Sequence, residues 1–414
     1  MVMKIKNIAD IYPPGKGIET IFITGVIGQD GSHMIDYLLK NTKAFILGGA
    51  RRLSVENHDN IKHLEGVDRF KLVNFDLTDS HSIYKLMEVA QPDYFINFAA
   101  QSFVASSWDF ARQTWATNST AVLDCLEAIR RIKPTCRFYN AGSSEEFGNV
   151  AYEPQDENHP PRPRSPYGAS KSGARTIVKV YRESYGLYAV QGWLFNHEGP
   201  RRGEEFVTRK ITKGVARIKK AIENNVQFEP LELGNLDAAR DWSDAEDMVD
   251  AVWKMLNQYD SKEFENTFDI INGITVNRPY PKDYVVSSGE THTIREFIDE
   301  SFKLANIGGI WKSSGMKVKA NSIVKGNFKY LDAVGDGKSA LASCELEKEL
   351  ENDIFIWDAD EKTPLVKTSL KFYRPAEVET LRGNSERIRK ELGWTPKTTF
   401  KQLVAKMIYN DLLK

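Results

Sequence analysis

The chain has 414 residues, of which 41% are hydrophobic and 27% charged, with a formal net charge of −1. That is ordinary globular composition at a length that allows two domains, or one domain with a substantial lobe. The near-neutral charge excludes a general field for nucleic acid or an anionic membrane, and three scattered cysteines (Cys125, Cys136, Cys344) exclude a disulfide framework and a zinc site.

Residues 1–18 read as a leader ending in "PPGKG"; it has lysines but lacks the apolar segment of a signal peptide. No apolar run is long enough to span a bilayer, so a cytoplasmic soluble protein without membrane, nucleic-acid or metal partners is expected. Short apolar runs then alternate with helical patterns. "IFIT" (21–24) reads as a strand, and "GSHMIDYLLK" (31–40) as a helix with Met34, Ile35, Leu38 and Leu39 on one face. "AFILGG" (44–49) and "FKLVNFD" (70–76) follow as strands, then a helix over 80–90. "DYFINFAA" (93–100) and "CRFYNAGSS" (136–144) complete the series. Alternating strands and helices predict a parallel sheet covered on both faces, and continuous apolar runs such as "YFINFAA" suit its buried strands.

Beyond about residue 190 the pattern is mixed. Two stretches read as insertions, 274–290 with "NRPYPKDY" and 308–370, which is rich in Gly, Lys, Asp and Glu. "CELEKELEND" (344–353) reads as a solvated helix face. "SERIRKELGW" (385–394) reads as a helix with Ser385 as N-cap. The expected division is 19–195 for a nucleotide-binding domain, and 196–414 for a smaller α/β substrate lobe with some returns to the first domain.

"TGVIGQDG" places Gly25, Gly28 and Gly31 between a strand and a helix. Glycines let the backbone approach a pyrophosphate, and the helix start offers it free N–H groups. The expected fold is therefore a Rossmann-type doubly wound sheet holding a dinucleotide. At the end of the second strand, where a carboxylate would bind a ribose hydroxyl, "GGARRLS" has Arg51, Arg52 and Ser54 instead. Guanidinium groups suit a 2′-phosphate, which favours NADP over NAD. Asp76 and Leu77 in "FDLTD" are positioned to border the adenine.

"SPYGASK" holds Tyr167 and Lys171 at helical spacing on one face. A neighbouring ammonium is expected to favour the phenolate, giving a base that removes a hydroxyl proton as hydride leaves the same carbon. "NAGSSEEFG" puts Ser143, Ser144, Glu145 and Glu146 at a strand's carboxyl end, where open α/β sheets bind ligands. Ser143 could hydrogen-bond the reacting hydroxyl. Glu145 could remove a proton α to a new ketone and assist loss of a β-hydroxyl. Because neighbours on an extended strand face opposite ways, one active carboxylate, Glu145, is expected, with Glu146 structural or solvated.

These motifs, with "RRLS", "NFAAQSFV", "NHEGPRRGEEFVTRKI", "LGNLDAARDW" and "YRPAEVETLRGN", resemble the GDP-mannose 4,6-dehydratase family of extended short-chain dehydrogenases/reductases. The resemblance covers residues 20–260, 288–307 and 370–414. It implies oxidation at sugar C4, loss of water across C5 and C6, and hydride return to C6 with no net use of NADP. It also implies cofactor contacts from Gly25, Gly28, Gln29, Asp30, Gly31, Ala99, Gln101, Ser102, Tyr167, Lys171, His197 and Arg202. Implied GDP-sugar contacts are Ser143, Glu145, Asn196, Val207, Lys210, Leu233, Arg240, Arg374 and Glu377. Phe103 stands where the family has histidine, and Phe147 where it has tyrosine. Three alternatives stay open: the same chemistry on a GDP-heptose, an NADP-dependent epimerase or reductase, and a sugar-nucleotide-binding protein with a dead site. The resemblance further implies a homo-oligomer, a tetramer first and a dimer second.

Overall fold

A computed structural model of the chain describes residues 5–10, 17–51, 58–259, 280–319, 349–369, 372 and 380–414. The chain forms two compact units. The first comprises Met1–Arg209, Ala239–His292 and Thr380–Leu403. The second comprises Lys210–Ala238, Thr293–Glu379 and Val404–Lys414.

In the first unit, β1 (Thr20–Thr24), β2 (Phe45–Ala50), β3 (Phe70–Asn74), β4 (Tyr94–Asn97), β5 (Arg137–Ala141) and β6 (Ala189–Leu194) pair in parallel. Further along come β7 (Asn196–Glu198), β8 (Leu231–Leu233, second unit), β9 (Ala239–Arg240), β10 (Trp242–Asp244) and β11 (Val285–Val286). The main sheet has seven strands in the order β11-β6-β5-β4-β1-β2-β3. The order reverses between β1 and β4, and such a switch point opens a crevice at the carboxyl ends of the strands. The connecting helices are α1 (Gln29–Asn41), α2 (Ser80–Ala90), α3 (Ala111–Trp115), α4 (Ala121–Ile132) and α5 (Pro166–Tyr185), followed by α6 (Val207–Glu223), most of which belongs to the second unit, and α7 (Ala245–Leu256).

Alternation along β1 explains the two layers. Ile21 and Ile23 pack with Met34, Ile35 and Leu38 of α1 and Met248 and Val252 of α7. Phe22 points the other way, joining Leu86 of α2, Leu126 of α4 and Val178 of α5. The sheet is thus buried on both faces, as its apolar strands require. Part of the leader joins this body, because Lys6 pairs with Val73 and Ile8 is buried. Within the stretch read as an insertion at 274–290, Val285 and Val286 pair with Trp193 and Leu194 and form the sheet's edge.

In the second unit, α8 (Ile294–Leu304) starts with a capping box between Thr293 and Glu296. A four-stranded sheet then runs β12 (Gly309–Lys319), β13 (Glu349–Trp357), β14 (Pro364–Thr368) and β8. The helix expected over 344–353 is corrected from Glu349 onward, where the chain is strand; residues 344–348 lie outside the described residues. The strand is continuous with "IFIW", whose aromatic and β-branched residues favour a sheet over the polar helical reading. Phe355 anchors it against Phe302 and Trp311, with ring centroids 5.3 and 4.7 Å apart. Two last helices, α9 (Glu386–Leu392) and α10 (Phe400–Leu412), close the chain. Ser385 precedes α9 but makes no cap; its hydroxyl donates to the Ser287 carbonyl instead.

Candidate active site

The glycine turn follows β1 at the switch point. Gly25 has φ +70° and packs on the backbone of Ala99, just after β4. A Cβ on Gly31 would lie 2.4 Å from the Gly25 oxygen and 2.7 Å from the Val26 Cα, so any side chain there collides with backbone. Gly28 is the N-cap of α1 and offers no side-chain cap, so helix N–H groups remain for an anion. These features fit a pyrophosphate. Helix α1 starts at Gln29, two residues earlier than the expected Gly31.

Asp30 lies in that first turn and carries negative charge. His197 of β7 compensates, with Nε2 2.9 Å from the carboxylate, while its Nδ1 faces the Phe195 carbonyl. Burial alone would raise the Asp30 carboxyl, but His197 and nearby Arg202 outweigh it and hold it far below the usual range. Burial likewise opposes a charged His197, and Asp30 more than restores it, raising the imidazole above its ordinary value. Gln29 ties the same elements together, donating to the His197 carbonyl at 3.1 Å. Arg202 pairs with Glu198 at 3.0 Å and lies over the Phe206 ring, which in turn meets Phe103 edge-on.

Arg51 is exposed at the end of β2; Arg52 and Ser54 lie outside the described residues. Asp76 accepts from Thr78 and Leu77 is buried after β3. After β4, Gln101 is clasped by Asn118, which accepts from its N–H at 2.9 Å and donates to its carbonyl at 3.0 Å. Asn118 also donates to Ser170 of α5 and sits in a π-helical turn, Ala116–Thr120. Ser102 is exposed beside this clasp.

The turn after β5 is built from side chains. Ser143 is the N-cap of a short 3₁₀ turn over Ser144–Glu146, accepting from the Glu145 N–H at 3.2 Å. Glu146 reaches back to the Ser143 N–H at 2.9 Å, completing a capping box. Glu146 is fully buried and pairs with Arg175 at 2.6 Å, whereas Glu145 is half-buried. The two carboxylates are therefore separated by a helical turn rather than by strand alternation.

Helix α5 brings the second half of the site. Its first turn closes on the acidic turn, since a Cβ on Gly168 would sit 2.5 Å from the Glu145 carbonyl oxygen. Tyr167 is buried, and the Ser143 side chain lies close enough to its phenol to favour the phenolate. The expected effect of Lys171 on the phenol is corrected by the geometry. The ammonium lies 5.8 Å from the ring centroid and donates to the Ala141 carbonyl at 2.7 Å. Burial pushes the phenol up to about 12; the Ser143 side chain opposes this, and Glu145 and Glu146 add to it. Burial also lowers the Lys171 ammonium to about 8.

Of the expected sugar-nucleotide residues in the first unit, Asn196 pairs with Trp242 across β7 and β10, Arg240 is buried on β9, and Val207 opens α6. In the second unit, Leu233 is buried on β8, and Lys210 donates to the Glu232 carbonyl at 2.7 Å and covers the Phe372 ring. Arg374 and Glu377 lie outside the described residues.

A family model described as GDP-mannose 4,6 dehydratase matches residues 22–269 and 259–407. The chain belongs to the GDP-mannose 4,6-dehydratase family. The matched segments run through both stretches that the sequence pattern marks as insertions. The GDP-mannose 4,6 dehydratase of Drosophila melanogaster is 38% identical over 398 residues, covering 94% of this chain and 85% of that protein. Among solved structures, RMD from Pseudomonas aeruginosa, complexed with NADPH, superposes with a TM-score of 0.63 at 20% identity, covering 95% of this chain and 99% of that one. A dTDP-glucose 4,6-dehydratase from Streptomyces venezuelae, with NAD bound, gives 0.67 at 17% identity, covering 94% and 96%.

Sequence reading missed Asn118, Arg175 and Gln191 as parts of this site. Gln191 had a readable signal, a polar amide inside the apolar run "YAVQGWL" that forms a fully buried strand.

Proposed function

We infer that the chain converts GDP-mannose to GDP-4-keto-6-deoxymannose, releasing one water. The observation that carries this reading is the closure of the α5 start, with Tyr167, on the capped turn that carries Ser143 and the half-buried carboxylate Glu145, in a member of this family. Tyr167, beside Ser143, takes the 4-hydroxyl proton of the sugar. Glu145 removes the C5 proton made acidic by the new ketone and assists departure of the 6-hydroxyl. Glu146 is committed to Ser143 and Arg175 and serves as scaffold. Lys171 would hold the end of β5 through the Ala141 carbonyl, beside the turn that carries Ser143.

The Gly25–Gly31 turn, the start of α1 and the Ala99–Ser102 segment would hold a nicotinamide dinucleotide, with Asp76 and Leu77 toward its adenine. When bound, that cofactor accepts and returns the hydride and, oxidised, adds a positive charge. NADP is the preferred form, supported by Arg51, Arg52 and Ser54 in place of an acid. His197 and Arg202 would act on the cofactor side. Asn196, Val207, Lys210, Leu233, Arg240, Arg374 and Glu377 would hold the GDP-sugar.

Exposed Phe110, Trp115, Val180 and Tyr185 on α3 and α5 and the segment before them support a homo-oligomer, a tetramer first and a dimer second. A cytoplasmic location fits the chain, which has no helix among its described residues long and apolar enough to cross a membrane.

The test is incubation of purified protein and NADP⁺ with GDP-mannose and a panel of other nucleotide sugars, followed by mass spectrometry. A product one water lighter from GDP-mannose, without net cofactor reduction, is expected. Binding with no mass change would overturn the reading.

A further inference from the structure

A line of hydrogen bonds crosses four strands beneath the candidate site. The Ala99 N–H donates to the Thr24 hydroxyl at 3.0 Å, and Thr24 donates to Asn97 Oδ1 at 2.5 Å. Asn97 Nδ2 donates to Asn140 Oδ1 at 2.8 Å, and Asn140 Nδ2 donates to Gln191 Oε1 at 2.6 Å. Gln191 Nε2 then donates to Glu146 Oε1 at 3.2 Å and to the Lys171 carbonyl at 3.0 Å. Thr24, Asn97, Asn140, Gln191 and Glu146 are all buried.

The direction of this line is set by chemistry. A carboxylate and a backbone carbonyl only accept, so both Glu146 and Lys171 require the Gln191 amide nitrogen to face them. Its oxygen must then face Asn140, which fixes the Asn140 amide, and the same step fixes Asn97. Thr24 is left to donate inward and accept from Ala99. Every donor points toward Glu146, and aligned bonds of this kind reinforce one another.

Gln191 is the junction. One amide NH₂ grips Glu146, which holds the Ser143 N–H, and also grips α5 at Lys171. Its backbone is fixed as well, with the N–H donating to Asp283 at 2.8 Å and the carbonyl accepting from Arg175 at 2.7 Å. We propose that Gln191 is a positioning residue for the dehydration. It registers the turn carrying Ser143 and Glu145 against the helix carrying Tyr167 and Lys171, and it ties both to the backbone beside the glycine turn. This rests on the catalytic reading above.

The test uses full-length Gln191→Leu and Gln191→Glu. Gln191→Leu removes both donors, and a slip of the two catalytic segments lowers kcat roughly 10- to 100-fold while KM for GDP-mannose stays within about twofold. Gln191→Glu keeps the shape. Ionised, the introduced carboxylate repels Glu146 and grips neither partner; protonated, it donates again. Its kcat relative to wild type is therefore recovered as pH falls. Gln191→Glu decides the matter if Gln191→Leu does not fold. Wild-type kcat in folded Gln191→Leu, or a Gln191→Glu pH profile superimposable on wild type, overturns the proposal. Absence of dehydrated product from the wild type would instead overturn the catalytic reading.

Discussion

Two turns at the carboxyl edge of the same sheet are built in opposite ways. The turn after β1 is shaped by the lack of side chains, with Gly31 against the Gly25 carbonyl and Gly25 against Ala99. The turn after β5 is shaped by side chains, with the Ser143 hydroxyl accepting from the Glu145 N–H and the Glu146 carboxylate from the Ser143 N–H. A backbone cradle suits an anion that must come close to main-chain N–H groups. A capped turn suits carboxylates that must be told apart, since the cap buries Glu146 and leaves Glu145 half-exposed.

This contrast says that deletions should harm one turn and additions the other. The largest effect is expected for Ser143→Ala. Turnover of GDP-mannose should fall roughly 10²-fold through loss of the hydroxyl at Tyr167, while stability drops by only about 1 kcal/mol for the lost cap. Steady-state kinetics and denaturant unfolding on one preparation check both numbers. Gly31→Ala should do the reverse. The added methyl meets backbone and costs about 1–3 kcal/mol, with weakened cofactor binding, as calorimetric titration with NADP⁺ can show.

The smallest effect concerns the Asp30–His197 pair beside the glycine turn. Asp30 is held low, so its contribution is present above the ordinary carboxylate range and is lost as pH falls through its folded value. His197 is held high, so its contribution is complete below 6.5 and is lost as pH rises through its raised value. Wild-type protein should therefore lose stability relative to His197→Gln as pH rises above the ordinary imidazole value of 6.5. Equal slopes in the two proteins would show that the pair is not coupled as described.

The same contrast explains what the sequence disclosed. Glycines at fixed spacing between a strand and a helix announce the first turn, and helix α2 over 80–90 is read to the residue from its apolar period. The acidic turn was legible as a set of residues but not as a shape. Which glutamate is buried depends on Arg175 and Gln191, which lie 29 and 45 residues away in the chain. Lys171 illustrates the same limit, because helical spacing puts it on the Tyr167 face but cannot show that it donates to the Ala141 carbonyl. The edge strand Val285–Val286 is two residues long and needs Trp193 and Leu194 beside it, so no local period marks it. In the second unit, the charged run before "IFIW" read as helix because its strand partners, Gly309–Lys319, are distant in sequence.

The central claim is that a carboxylate on the capped turn, rather than the glycine cradle, decides the reaction. Glu145→Gln tests it most directly, by mass spectrometry of GDP-mannose incubated with variant and NADP⁺. Water loss is expected to slow roughly 10²- to 10⁴-fold while GDP-mannose and NADP⁺ still bind. Dehydration by Glu145→Gln at the wild-type rate would contradict the account.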